Sequence, residues 1–279
     1  MAMEYLGESF DLHAGGEDLI FPHHENEIAQ SESVTHKMFA RHWMHVRFLL
    51  VDGRKMSKSE GNFYTPRDLL LKGFKASAIR LALIAVPYRR QFNFTFDSLT
   101  DATNAIDRLR TFRARLTAGN FTTGENSAIQ EAAKKTAGEF RDALGDDLNT
   151  ADALAPIFEL VRAGNTAIDQ GLFFAGDRDA ILPVLKDFDA VFDVLEDRDA
   201  EATRRAFEWA KETGRMADVA PELLAAQSLT DEAIEALVAE RTAAKKVRNF
   251  ARADQIRNEL AEKGVVIEDS KDGVRWKRK

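Results

Sequence analysis

The residues best suited to phosphate chemistry lie within one five-residue stretch, Lys55-Met56-Ser57-Lys58-Ser59. It combines two cations with two hydroxyl groups, and glycines stand on either side, at Gly53 and Gly61. A Lys-x-x-Lys pair with interleaved hydroxyls can neutralise a polyphosphate, and flanking glycines allow such a loop to close over a nucleotide and reopen. A solvated basic turn is the alternative interpretation, because a short motif is only a hypothesis.

A second group of reactive residues is the histidine-rich string near the N-terminus. If Pro22 begins a helix that runs to about Ser33, His23 and Glu27 lie four residues apart on one face and can share a metal ion, while His24 points elsewhere. Two ligands are too few for a zinc site. The alternative is a helix N-terminus whose carboxylates favour the macrodipole, beside incidental histidines.

The elements around these two groups predict an α/β segment. Phe10–His13 is typical of a short strand, residues 14–16 of a turn, and Phe48–Val51 of a strand that leads into the lysine loop. Residues 39–46 are rich in aromatic and histidine side chains, for which core packing is the default. Behind the loop, Thr65 can cap a helix that begins at Pro66.

From about residue 97 the strand signal disappears and apolar residues recur at helical spacing. One such stripe consists of Leu99, Ala102, Ile106, Leu109 and Phe112. Further helices are predicted from a cap at Asn149 to near Gly171, from Ala180 to Leu195 and from Ala202 to Thr213. This pattern predicts a helix bundle, and a bundle by itself does not identify a function.

The C-terminal tail differs from the rest of the chain in charge. Residues 241–279 hold twelve Lys/Arg against six Asp/Glu, whereas the whole chain carries a net charge of −7. The pattern predicts two helices, the first capped by Thr230, and then a hairpin. If Trp276 is exposed between Arg275 and Lys277, it can stack on an unpaired RNA base while the cations hold phosphates. The alternative is a small hairpin whose tryptophan packs on the two helices.

Composition limits the classes of protein that remain. With 279 residues and 44% hydrophobic content, the chain can bury cores in about two domains. It has no long apolar run and no basic-then-apolar N-terminus, so we expect a soluble cytoplasmic protein without a membrane span. The absence of cysteine excludes disulfides and any thiolate metal site built from this chain alone.

Two motifs carry a family resemblance. Lys-Met-Ser-Lys-Ser resembles the second signature of class I aminoacyl-tRNA synthetases, and residues 11–32 are similar to the zinc-site region of cysteinyl-tRNA synthetases. In that family, zinc is held by two cysteines and by the His and Glu that match His23 and Glu27, and it takes the substrate thiolate as a ligand. His13 matches a histidine near the bound cysteine. Ala14 stands where family members often have glycine.

The resemblance implies a cysteine–tRNA ligase that uses ATP, Mg²⁺ and Zn²⁺ and has tRNA(Cys) and L-cysteine as substrates. Lys55 and Lys58 would stabilise charge on the leaving pyrophosphate, with Lys58 the stronger candidate, and the loop would contact ATP. The ATP-contacting residues would be Met56, Ser57, Lys58 and Ser59. The tail residues Arg275, Trp276 and Lys277 would contact tRNA.

The resemblance covers roughly the C-terminal 60% of such an enzyme. The first class I signature and both zinc cysteines of the family have no match, so we expect this chain to be inactive alone, as a monomer or with an N-terminal half supplied in trans. Two alternatives remain: a non-catalytic tRNA-binding module, and a cysteine ligase of the mycothiol pathway. The latter family lacks the long extension, so the tail from residue 230 onwards argues against it.

The predicted fold class is therefore α-rich, α/β plus α. The resemblance implies four domains in chain order. Residues 1–62 form the C-terminal part of a Rossmann-like catalytic domain with the lysine loop, and 63–96 form a stem-contact fold. Residues 97–215 form a helical bundle on the anticodon-binding side, and 230–279 form a small basic C-terminal domain with helices and a hairpin.

Overall fold

A computed structural model describes residues 2–227, 231–246, 249–262, 265–270 and 273–278. The chain is mostly helical with three small sheets, as the sequence predicted. Among the described residues, no helix has the length and apolarity needed to cross a bilayer. Contacts divide the chain into two compact units, Met1–Phe63 with Ser77–Asp197 and Tyr64–Ala76 with Arg198–Lys279. The four predicted domain boundaries remain predictions.

The first part of the chain is an α/β segment built on two parallel strands. Its elements are α1 (Ala2–Leu6), β1 (Phe10–Gly16), a 3₁₀ turn (Glu17–Leu19), a π-helical turn (Ile20–His24), α2 (Glu25–Thr35) and β2 (Ala40–Val46). β1 is longer than predicted and includes the predicted turn, because its register with β2 continues as far as the pair Gly16 and Val46.

The start of α2 agrees with the predicted helix once the turn before it is included. The structure has a π-helical turn at Ile20–His24 that runs directly into α2 at Glu25, and within this turn only Phe21 has non-helical angles, with φ −135° and ψ 132°. An extended residue is expected immediately before proline. Helical backbone therefore begins at Pro22, as the sequence predicted.

The lysine loop leaves a small hairpin. β3 (Leu49–Val51) pairs antiparallel with β4 (Arg54–Lys55) and parallel with β5 (Phe92–Phe94). Asp52 and Gly53 connect β3 to β4 with φ of 49° and 75°, the conformation of a two-residue turn that twists with its strands. Two short helices follow the loop, α3 (Pro66–Leu71) and α4 (Ala76–Ile84). Thr65 caps α3, which confirms that prediction.

Four helices form the predicted bundle. They are α5 (Phe96–Ala118), α6 (Ser127–Gly145), α7 (Thr150–Asp169) and α8 (Ala175–Phe192). The predicted α5 stripe is buried along its whole length, and Asn149 caps α7. α8 begins at Ala175 rather than at the predicted Ala180, because the Asp177 carboxylate accepts the Phe174 amide and fixes an earlier helix start.

The second unit is helical apart from a C-terminal hairpin. It contains α9 (Asp199–Glu212), a 3₁₀ turn (Met216–Asp218), α10 (Pro221–Gln227), α11 (Asp231–Lys246), α12 (Phe250–Glu262), β6 (Val265–Ser270) and β7 (Gly273–Arg278). β6 and β7 pair antiparallel, as predicted. The predicted cap at Thr230 lies outside the described residues.

Candidate functional site

The histidine-rich string forms a compact cluster against β1 and β2. His13 on β1 and Glu27 on α2 are joined by a hydrogen bond of 2.6 Å from Nε2 to the carboxylate. The His13 and His24 rings lie 4.7 Å apart between centroids, and Trp43 on β2 packs against both. The π-helical turn therefore places His24 over the sheet and directs it into the cluster.

His24 is the buried member of this cluster. Its Nδ1 lies 2.8 Å from His45 Nε2, so one ring donates and the other accepts. Burial lowers the pKa of His24, and the positive charges that His13 and His45 can carry lower it further, while Glu27 opposes the shift. Gly15 leaves room for the ring, because a Cβ at that position would lie 2.7 Å from His24 Cε1.

The geometry only partly reproduces the predicted pair of metal ligands, His23 and Glu27. His23 Nε2 lies 3.6 Å from Glu27 Oε1, but the His23 side chain is 61% exposed. The groups that meet more closely are His13, His24 and Glu27, whose potential ligand atoms all lie within 4.8 Å of one another. Two imidazoles and a carboxylate are a known ligand set for zinc. His24 has no predicted role in metal binding.

The two predicted catalytic lysines are both exposed, Lys55 at the end of β4 and Lys58 on the loop that follows. The ammonium group of Lys55 lies 4.5 Å from the centroid of the Phe48 ring, and that of Lys58 lies 5.5 Å from the Phe63 ring. Ser57 and Ser59 contact each other through their hydroxyls at 3.0 Å. The loop thus presents two cations and two hydroxyl groups at the surface.

Glu17 connects the histidine cluster to the lysine hairpin. It follows β1 directly, and its carboxylate accepts the Phe48 amide at 3.3 Å and pairs with Arg47 at 3.2 Å. The Phe48 ring in turn lies beneath the ammonium group of Lys55. The two predicted groups of reactive residues therefore belong to one continuous α/β surface, which residue types alone did not reveal.

The tail has the second of its two predicted arrangements, a hairpin whose tryptophan packs on the two helices. Trp276 is half-buried and packs against the core of Ile234, Ile256, Leu260, Val265 and Ile267. Arg275 lies on the opposite face of β7 and is exposed. The condition set for base stacking, an exposed Trp276, is not met because the tryptophan covers the small core. The side chain of Lys277 lies outside the described residues.

Two contributions were missed by sequence reasoning. The sequence predicts no site role for His24 or His45, although His24 and Glu27, three residues apart on a helix, are neighbours. Asn62 received no role, although its amide contacts Ser57 N and Lys55 O. An asparagine placed just after a positive-φ glycine, Gly61 with φ 68°, is a detectable turn signal for such a residue.

Three family models match the chain. Residues 1–104 match the tRNA synthetases class I (C) catalytic domain, 139–195 the DALR domain, and 228–276 the cysteinyl-tRNA ligase anticodon binding domain. The first match covers the α/β segment, the second covers α7 and α8 of the bundle, and the third covers most of the tail.

Curated relatives match over the whole of this chain. A cysteine–tRNA ligase of Koribacter versatilis is 54% identical over 282 residues, 57% of its length, and one of Solibacter usitatus is 49% identical over 54% of its length. The chain thus spans about half the length of these relatives. Among solved structures, a LeuRS–tRNA–LeuAMS complex of Agrobacterium radiobacter K84 matches 71% of this chain and 27% of its own, with a TM-score of 0.50 and 16% identity. That match supports the fold alone.

Proposed function

Because this chain belongs to the cysteinyl-tRNA synthetase family, we propose that it forms the loop-bearing and tRNA-facing part of a cysteine–tRNA ligase. The observation that carries this proposal is the presence of the catalytic, DALR and anticodon-binding matches in one order along one chain. The reaction joins L-cysteine to tRNA(Cys) in two steps. The cysteine carboxylate attacks the α-phosphate of ATP and releases pyrophosphate, and the aminoacyl group then passes to the terminal ribose.

The proposed role of the lysine loop is to bind the polyphosphate of ATP. Lys55 and Lys58 stabilise charge on the leaving pyrophosphate, with Lys58 the more important, and Mg²⁺ accompanies the nucleotide. Met56, Ser57 and Ser59 complete the contacts to ATP. The exposure of both lysines supports this role, because their cation–π contacts with Phe48 and Phe63 can be exchanged for contacts with phosphate.

The proposed role of the histidine cluster is to bind cysteine through zinc. Zinc supplies a soft Lewis acid that accepts a thiolate and rejects a hydroxyl. The nitrogen and oxygen donors of the cluster suit this ion, with Glu27 and His23 as the proposed ligands and His13 shaping the substrate pocket. The sequence contains no cysteine, so thiolate ligands must come from outside these 279 residues.

The α/β segment gives a reason to expect that these 279 residues are not sufficient for catalysis. None of the seven residues of β1 is buried, and the β1–β2 pair is parallel. Parallel sheets are covered on both faces in folded proteins. We therefore propose that further α/β polypeptide packs here and supplies the rest of the ATP site, and that the 279 residues alone bind tRNA as a cytoplasmic monomer without charging it.

The test is cysteine-dependent exchange of pyrophosphate into ATP, measured on the purified 279 residues with and without the part of the Koribacter versatilis relative that this chain does not match. We expect no exchange from the chain alone and measurable exchange from the mixture. Exchange by the chain alone would overturn the claim of incompleteness. Saturable tRNA(Cys) binding without exchange in the mixture would favour the non-catalytic tRNA-binding module.

The metal assignment has a separate test. We expect His23→Ala to weaken zinc binding at least tenfold, as loss of a ligand requires, and Glu27→Gln to do the same. His42→Ala is the matched control, because His42 is an exposed histidine on β2 outside the cluster. Metal content after dialysis against zinc is the measurement. Unchanged content in the His23 variant, with loss in a His24→Ala variant, would transfer the ligand role to His24.

Deleting the tail tests its proposed contact with tRNA. Removal of residues 230–279 should weaken tRNA(Cys) binding, since Arg275 and Lys277 are proposed to lie at the RNA. Because Trp276 belongs to the small core, the sharper variant is Arg275→Ala, which leaves that core intact. Filter binding at two salt concentrations is the measurement. Affinity that is unchanged by the deletion would exclude a role in recognition.

A further inference from the structure

The lysine loop is closed by one side chain. Asn62 Oδ1 accepts the Ser57 amide at 2.8 Å, and Asn62 Nδ2 donates to the Lys55 carbonyl at 3.1 Å. The Asn62 side chain therefore accepts one hydrogen bond from the backbone on the opposite side of the loop and donates another to it. A ring is formed that contains residues 55–62, and both lysines belong to it.

The interior of this ring is filled with further hydrogen bonds. The Ser57 hydroxyl accepts the Glu60 amide at 3.2 Å, and the Gly61 amide donates to the Lys58 carbonyl at 3.3 Å. Gly53, on the other side of the hairpin, is held separately by Asn93 Oδ1 at 2.7 Å. The loop therefore has its own internal structure, and the hairpin at its base has a different anchor.

We propose that Asn62 is a positioning residue for the two lysines, which keeps the loop as one body when it moves to bind a polyphosphate. This inference rests on the polyphosphate role proposed above. A loop with a fixed ring can change its orientation through the hairpin turn at Gly53, which lies outside the ring and has φ 75°, without refolding. Only the lysine side chains then have to leave their phenylalanine rings.

The physical reason is the backbone conformational entropy that the loop loses when it becomes ordered around the anion. Without the ring, residues 56–61 have no regular secondary structure to restrict them, and each residue fixed by the anion loses backbone entropy on binding. Asn62 has already restricted them before the anion arrives. Removing its amide should therefore weaken anion binding without removing any group that touches the anion.

Hydrogen exchange on the full chain tests the ring directly. Asn62→Ala should speed exchange of the Ser57 amide at least tenfold, because that amide loses its acceptor. Asn62→Asp should keep it slow, because a carboxylate oxygen still accepts at the same place. Asn104→Ala, an exposed asparagine on α5, is the matched control. Equal Ser57 exchange in the alanine variant and the wild type would overturn the ring.

Pyrophosphate binding by the same proteins tests the consequence. We expect Asn62→Ala to bind inorganic pyrophosphate about three- to tenfold more weakly than wild type, the loss typical of one net hydrogen bond, with an unchanged unfolding midpoint. Equal affinity in wild type and variant, with loss in Lys58→Ala, would overturn the positioning role and leave the proposed function intact. A wild type that does not bind pyrophosphate, alone or mixed with the unmatched part of the Koribacter versatilis relative, would overturn both.

Discussion

The first 46 residues and the helical bundle use apolar side chains in opposite ways. Sixteen large hydrophobic residues are exposed among the described residues, and nine of them lie before residue 47, including Tyr5, Leu12 and Phe21. In the bundle, by contrast, Phe112, Phe188 and Phe192 are fully buried. The bundle therefore encloses a core of its own, whereas the α/β segment presents apolar surface outward.

The difference shows that the site-bearing region depends on neighbours for its stability. A two-stranded sheet is marginal by itself, and a parallel one needs cover on both faces. The reactive histidines lie in this region, where all six histidines of the chain fall between residues 13 and 45. The histidine cluster therefore lies in the region that depends more on neighbouring polypeptide for its stability.

The largest effect is expected from a cavity in the bundle. Phe112→Ala should lower the free energy of unfolding by about 3–5 kcal/mol, because Phe112 is fully buried on α5. The measurement is urea unfolding followed by circular dichroism. Leu12→Ala is the control, and it should cost under about 0.5 kcal/mol, because Leu12 is 55% exposed on β1. Equal losses would contradict the comparison.

An intermediate effect is expected at the histidine cluster. Gly15→Ala should cost about 1–3 kcal/mol, since its Cβ would collide with the His24 ring and with Leu19. In the bundle, Gly138→Ala has the opposite expected sign and should stabilise α6 by up to about 1 kcal/mol, because no atom lies within 4 Å of the added Cβ. The measurement is thermal unfolding, in which Gly15→Ala should lower the midpoint and Gly138→Ala should raise it.

Lowering the pH through the histidine range should affect the α/β segment, which holds all six histidines of the chain. The pKa of His24 is lowered by burial in the folded state, so the unfolded chain binds its proton more readily. The contribution of neutral His24 to the stability of the segment is therefore fully present above pH 6.5, the ordinary pKa of histidine, and is lost as the pH falls below that value. Hydrogen exchange with a chelator present should show loosening of β1 and β2, with no change in α5–α8. Loosening of the bundle over the same range would contradict this assignment.

The smallest effects are expected from exposed ion pairs. Lys37 pairs with Glu8 at 2.5 Å in the α/β segment, and Lys135 pairs with Glu139 at 3.5 Å on α6. Alanine at either lysine should change the unfolding free energy by about 0.5 kcal/mol or less, because exposed pairs are screened by water. A larger loss for Lys37 would show that the segment relies on charge where it lacks a core.

Features governed by local sequence were predicted well. Thr65 and Asn149 cap the helices assigned to them, and the α5 stripe forms core. These features depend on residues within one turn of one another, so spacing is sufficient to predict them. The helical turn predicted from Pro22 is also present, because only Phe21 before it has non-helical angles and the turn runs into α2.

The helical bundle, the lysine loop and the family resemblance could be predicted from the sequence, because periodicity and a rare string of residues need no knowledge of contacts. The tertiary contacts were needed to show that His13 and His24 meet, that Asn62 closes the loop and that Trp276 covers a core. Those outcomes depend on how residues distant in the chain face each other.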